Sequence, residues 1–94
     1  LLSEIAQIIL QHHERYNGSG YPQGLKRDEI LLEAQILAVA DVFESMISHR
    51  PYRPALGIDA AMDELIQNRG ILYHPDIVDA MIHLVIHKGY EIPE

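Results

Sequence analysis

Apolar residues recur at α-helical spacing in four stretches of this chain, and each stretch is stopped by glycine or proline. Residues at i, i+3, i+4 and i+7 share one helix face, so the pattern favours an all-α fold. The first predicted helix runs over about 2–15, with Ile5, Ile8, Ile9 and His12 on one face, and Asn17-Gly18 ends it. The second runs from Ile30 or Leu32 to Ser48. Its centre, 36–43, is apolar except for Asp41 and reads as buried on all sides. Pro51 and Pro54 prevent its continuation. The third runs over about 59–69, with Met62, Leu65, Ile66 and Arg69 on one face and Gly70 as its C-terminal cap. The fourth starts at Pro75, carries Ile77, Met81, Leu84, Val85 and Lys88 on one side, and ends at Gly89. No stretch reads as a convincing strand.

The 94 residues make one small domain, 1–94, whose stability is marginal at this size. With 48% hydrophobic residues the chain is too apolar to be disordered. The lack of cysteine excludes disulfides, thiolate catalysis and cysteine zinc sites. A formal net charge of −7 disfavours general nucleic-acid binding, although a metal ion or paired arginines can still hold one small phosphorylated ligand. No apolar run reaches the roughly 18 residues that span a membrane. The expectation is a soluble, cytoplasmic piece of a longer protein, with any membrane anchor elsewhere in the parent.

Four groups of residues carry chemistry. His12-His13-Glu14 ends the first predicted helix, where neighbouring side chains diverge by about 100° and could bind two ions, or one ion from two sides. Equally, His12 could complete the apolar stripe while His13 caps helix carbonyls. Asp41, alone in its apolar run, calls for a metal or for a salt bridge to Arg50 or Arg53, because an unpaired buried carboxylate costs several kcal/mol. Two imidazoles and a carboxylate suit iron, manganese or zinc.

In the loop Asn17-Gly18-Ser19-Gly20-Tyr21-Pro22, Gly20 permits close backbone approach, Tyr21 offers a stacking face and Pro22 stiffens the turn. It fits a flat ligand or a partner surface, or serves only as structure with Tyr21 in the core. Arg50-Pro51-Tyr52-Arg53-Pro54 holds two guanidinium groups that could bind phosphate or a guanine edge, or form surface ion pairs. Glu44 lies on nearly the face of Asp41 and could accept hydrogen bonds from guanine. His83 and His87 stand four apart without an acidic companion and read as a solvated face, while His49 and His74 read as structural.

In this order the pieces resemble one family. The segment from His12-His13-Glu14 through Gly20-Tyr21-Pro22 is similar to the HHE…GYP signature of HD-GYP domains. Ala34-Gln35-Ile36-Leu37-Ala38-Val39-Ala40-Asp41-Val42-Phe43-Glu44, then Arg50-Pro51-Tyr52-Arg53, resembles the family's next block, and the likeness continues through Gly70 and Tyr73-His74-Pro75. The resemblance implies the C-terminal part of an all-α, HD-domain-like helical bundle of about four helices. It implies a centre of two or three divalent metals, often iron, and hydrolysis of cyclic di-GMP or a related cyclic dinucleotide by a metal-bound water. By that resemblance His12, His13 and Asp41 are metal ligands. Gly20, Tyr21, Pro22, Glu44, Arg50 and Arg53 lie where the family holds substrate, and the 18–25 loop is linked to contacts with diguanylate cyclase domains.

The chain departs from the family pattern at Asn17, Gln35, Glu44 and His74. The family's His-Asp dyad, the lysine after it and a further metal histidine belong before residue 1, and no His-Asp pair occurs in the chain. The expectation is therefore a phosphodiesterase fragment that is inert alone; the alternative is a non-catalytic module that senses a cyclic dinucleotide or docks a protein. Uncovered apolar faces around Ile5, Ile9 and 36–43 further imply a homodimer, since exposed patches beyond about 600 Å² rarely survive on a monomer.

Overall fold

The computed structural model describes residues 2–48 and 57–87. Four helices follow one another: α1 (Leu2–Gln11), α2 (Leu32–Ile47), α3 (Ile58–Gln67) and α4 (Pro75–His87), with a short 3-10 turn at Arg27–Glu29 before α2. Among the described residues the only β feature is an isolated bridge between Arg69 and Tyr73. The all-α expectation holds.

α2 is the centre of the assembly. It packs mainly against α3 and also touches α1 and α4. Ala34, Ala38, Val39 and Phe43 fall on one side at helical spacing and are buried there. Val39 and Phe43 join Ala61 and Leu65 of α3, Val78 of α4 and Tyr73 in a single core. Leu65, Val39 and Val78 are fully enclosed, each contributing about 1.5–3 kcal/mol of burial. The connection from α3 to α4 is fastened by polar contacts. The Tyr73 hydroxyl donates to Glu64 Oε2 at 2.7 Å, and Asn68 Nδ2 donates to the same oxygen at 3.1 Å. Burial, reinforced by that carboxylate, holds the Tyr73 hydroxyl well above the ordinary tyrosine range.

The structure corrects three expectations. α2 is not buried all round: Ile36, Leu37, Asp41 and Glu44 are exposed, because the described elements cover only its other side. The α1 face of Ile5 and Ile9 is exposed, as the resemblance implied, and α1 meets the fold through Gln11, whose Oε1 accepts the Leu31 N–H at 2.8 Å. Finally, α1 stops at Gln11, short of the histidines. α3 likewise ends before Gly70, with Asn68 at its C-cap. Gly70 instead takes a φ of +75° and donates its N–H to the Tyr73 carbonyl at 2.9 Å.

Candidate active site

Where α1 stops, the chain tightens into a turn closed by the Glu14 N–H on the Gln11 carbonyl at 2.9 Å. His12 and His13 therefore do not fan out along a helix; their ring centroids lie 3.9 Å apart, tilted by 41°. His12 Nδ1 bonds the Ile9 carbonyl. A carbonyl only accepts, so Nδ1 carries the hydrogen, and in the neutral ring Nε2 is left with its lone pair free for a metal or proton. Arg15 Nη1 donates to the His12 and Glu14 carbonyls at 3.3 and 3.0 Å, holding the turn.

The glycine-rich loop folds back over this turn. Tyr21 stacks on the His13 imidazole at 5.0 Å and 14°, while the residue as a whole remains 62% exposed. The Tyr21 N–H reaches the His13 carbonyl at 3.3 Å, and the Tyr21–Pro22 peptide is cis. Gly20 lies so close that an added Cβ would stand 2.4 Å from the His13 carbonyl oxygen and 2.5 Å from the Arg15 nitrogen. Upstream, Asn17 Oδ1 accepts the Ser19 N–H at 3.1 Å, a turn built by the side chain itself. Downstream, Glu14 is only 3% exposed, and its carboxylate accepts the Gln23 N–H at 2.7 Å and the Leu25 N–H at 2.8 Å.

His12, His13, Gly20, Tyr21 and Pro22 are thus assembled in one place. Asp41 lies on the exposed side of α2 and is not buried, so the buried-carboxylate argument that singled it out does not hold in this chain. Glu44, also exposed, accepts the Ser48 hydroxyl at 2.9 Å. Arg50 and Arg53 lie outside the described residues. No group of three or more His, Cys, Asp or Glu side chains converges among the described residues. Two imidazoles supply the nitrogen half of the expected ligand set, and among the described residues no carboxylate joins them. The described donor set is thus insufficient for a complete metal centre.

A family model described as HD domain matches residues 1–77. The chain belongs to the HD domain family. Its HHE…GYP motif places it in the HD-GYP group. It is 54% identical over 77 residues to the cyclic di-GMP phosphodiesterase response regulator RpfG of Xanthomonas campestris, covering 82% of this chain and 20% of that protein. It is 47% identical over 79 residues to a cyclic di-GMP phosphodiesterase of Thermotoga maritima, covering 84% of this chain and 22% of the relative. A 3′3′-cGAMP-specific phosphodiesterase 3 of Vibrio cholerae is 36% identical over 77 residues, covering 82% of this chain and 17% of that protein. The chain spans about a fifth of the length of the curated relatives it matches.

Within this HD domain chain, one residue does more than its sequence suggested. Glu14 reads in sequence only as the third letter of the motif, yet it is the buried carboxylate of the site. The signal was an acid set just before a loop rich in unpaired backbone N–H groups. His74 has the structural role read for it in the sequence: its Nδ1 accepts the Asp76 N–H at 3.1 Å in the first turn of α4. His83 and His87 have ring centroids 4.7 Å apart on the exposed side of α4.

Proposed function

We propose that this chain is the C-terminal part of an HD-GYP catalytic domain whose parent hydrolyses a phosphodiester bond of a cyclic dinucleotide, cyclic di-GMP foremost, and that it is inert alone. The observation that carries this reading is the paired imidazoles of His12 and His13 beneath the Tyr21 loop. Relatives named for cyclic di-GMP and for 3′3′-cGAMP support a cyclic dinucleotide as the substrate class. In this reading His12, His13 and Asp41 belong to a divalent-metal centre, iron first and manganese or zinc otherwise, completed by ligands the described residues do not supply. Such a centre contributes Lewis-acid polarisation of the phosphoryl group and a lowered pKa for water. The chain's own part is to present the His12 Nε2 and His13, and to offer the exposed Tyr21 face to a base. Glu44, Arg50 and Arg53 complete the substrate site in this proposal, the guanidinium groups matching phosphate or a guanine edge bidentately.

Hydrolysis adds water across one P–O bond, so the product is a linear dinucleotide that chromatography separates from the ring. The complete parent, loaded with iron or manganese, is expected to make it, and the purified 94-residue chain to make little or none. Brisk turnover by the isolated chain would overturn its inertness; a complete parent that opens no cyclic dinucleotide sinks the enzyme reading. Binding without turnover by that parent supports the second reading, a sensing or docking module. The exposed Tyr21, Pro22 and Gln23 favour it as a contact for diguanylate cyclase domains.

The proposal extends to a homodimer in a cytoplasmic setting. Among the described residues no helix is long and apolar enough to cross a membrane. Ile5 and Ile9 on α1, Ile36 and Leu37 on α2, and Leu84 and Ile86 on α4 are all exposed. Large uncovered apolar surface favours association through a symmetric interface. Light scattering is expected to give a dimer mass; a monomer persisting at high concentration counts against it.

A further inference from the structure

We propose that Glu14 is a positioning residue for His13, acting through the loop rather than on any ligand. This rests on His13 belonging to the reactive site proposed above. Removing a carboxylate from water costs several kcal/mol unless it is well bonded, and Glu14 is bonded to one segment only. Its two oxygens take the N–H groups of Gln23 and Leu25, two residues apart, at 2.7 and 2.8 Å. Charge-assisted bonds of this kind are about twice as strong as neutral ones. Gln23 is joined to Tyr21 through Pro22 alone, whose ring fixes φ. Clamping residue 23 therefore limits where the Tyr21 ring can lie, and it lies flat on the imidazole of His13.

The loop is also tied to the turn by the Gly18 N–H on the Arg15 carbonyl at 2.8 Å, but that bond lies three residues before Tyr21. The loop's direct backbone bond to residue 13, from the Tyr21 N–H, is long at 3.3 Å. His12 is held differently, through Nδ1 on the Ile9 carbonyl, and does not depend on the clamp. Neighbouring residues thus divide the work. Glu14 turns inward to grip the loop, and the loop returns over His13 to fix the plane of its ring.

Nuclear magnetic resonance of the metal-free chain tests this without substrate or turnover. Protons of an imidazole stacked on tyrosine are shifted upfield, and Tyr21→Ala measures how much of the His13 shift comes from that ring. Glu14→Ala is expected to remove the same upfield shift, with a larger change at His13 than at His12. Glu14→Gln keeps the side-chain volume and one acceptor oxygen, and is expected to lose part of the shift. Gln11→Ala is the control: it deletes a comparable buried side-chain bond, to the Leu31 N–H, away from the loop. It is expected to lower the melting temperature while leaving the His13 shift intact. A folded Glu14→Ala or Glu14→Gln chain that keeps the full wild-type His13 shift overturns the proposal, and so does an equal loss in Gln11→Ala. Failure of the complete parent to hydrolyse a cyclic dinucleotide, with the clamp behaving as expected, would sink the phosphodiesterase reading and leave the clamp standing.

Discussion

Gly20→Ala is expected to undock the loop from the histidine turn and to lower stability by up to about 3 kcal/mol, the upper end for forcing atoms into a packed site. The new Cβ would meet the His13 oxygen at 2.4 Å, the Arg15 nitrogen at 2.5 Å and the Glu14 Cα at 2.6 Å. All three are backbone atoms, so no side chain can rotate aside. Either the turn at 12–15 opens or the loop lifts. Lifting it breaks the Tyr21 stack and pulls Gln23 and Leu25 from a carboxylate that would then be buried without donors. The loss is cooperative because the same few residues hold both sides. Gly70→Ala separates this close approach from backbone strain. Gly70 has a φ of +75° but open space around its missing side chain, so alanine there costs roughly 1–2 kcal/mol and leaves the loop alone. Denaturant melts give the stabilities, and the His13 ring protons report whether the loop has lifted. A Gly20→Ala chain as stable as wild type, with its Tyr21–His13 stack retained, would contradict the argument.

The legible parts of this chain were those governed by local rules. Pro75 opens α4 as a proline at the first helical position should, and Asn17-Gly18 lies in the loop that follows α1. The close approach at Gly20 was readable from the residue type, and the motif was readable from its length and order. Two things were not. The end of α1 at Gln11 goes together with a Glu14 side chain bonded to residues 23 and 25, nine and eleven positions along the chain, a long-range link that no helical periodicity encodes. The exposure of Ile36, Leu37 and Asp41 depends on how many neighbours pack around α2; periodicity alone missed it, and only the uncovered faces implied by the family resemblance anticipated it. An apolar run says that a helix can be surrounded; the elements present decide whether it is. The sequence argument assigned burial to the wrong carboxylate for that reason: Glu14, in a polar-looking segment, is enclosed, and Asp41, in an apolar one, faces outward.

That reversal sharpens what Asp41→Asn should do. Exposed on α2 beside Ile36, Leu37 and Glu44, Asp41 pays little for its charge in this chain. Surface substitutions away from special features change stability by about 0.5 kcal/mol or less, so the metal-free chain is expected to melt almost as wild type does. An ordinary salt bridge to Arg50 or Arg53 at an exposed site would also be worth only about 0–1 kcal/mol, so stability alone does not separate the two readings. Metal content does. If Asp41 is a ligand in the complete parent, the asparagine variant loses an anionic oxygen that a hard cation requires. Metal retention and hydrolysis should then fall together, by more than about 100-fold, beyond the 10–100-fold typical of residues that only support a ligand. The apolar neighbours of Asp41 supply the physical reason to favour this outcome. No residue among 36–40 can neutralise it, and a carboxylate set in an exposed apolar face is suited to a surface that another element closes. Once that face is covered, the charge needs a cation, and a metal shared with His12 and His13 provides one. The measurement is metal analysis of wild-type and Asp41→Asn parent protein alongside turnover and melts in chelator. Full metal content in the variant would sink the ligand assignment and leave an arginine as the partner.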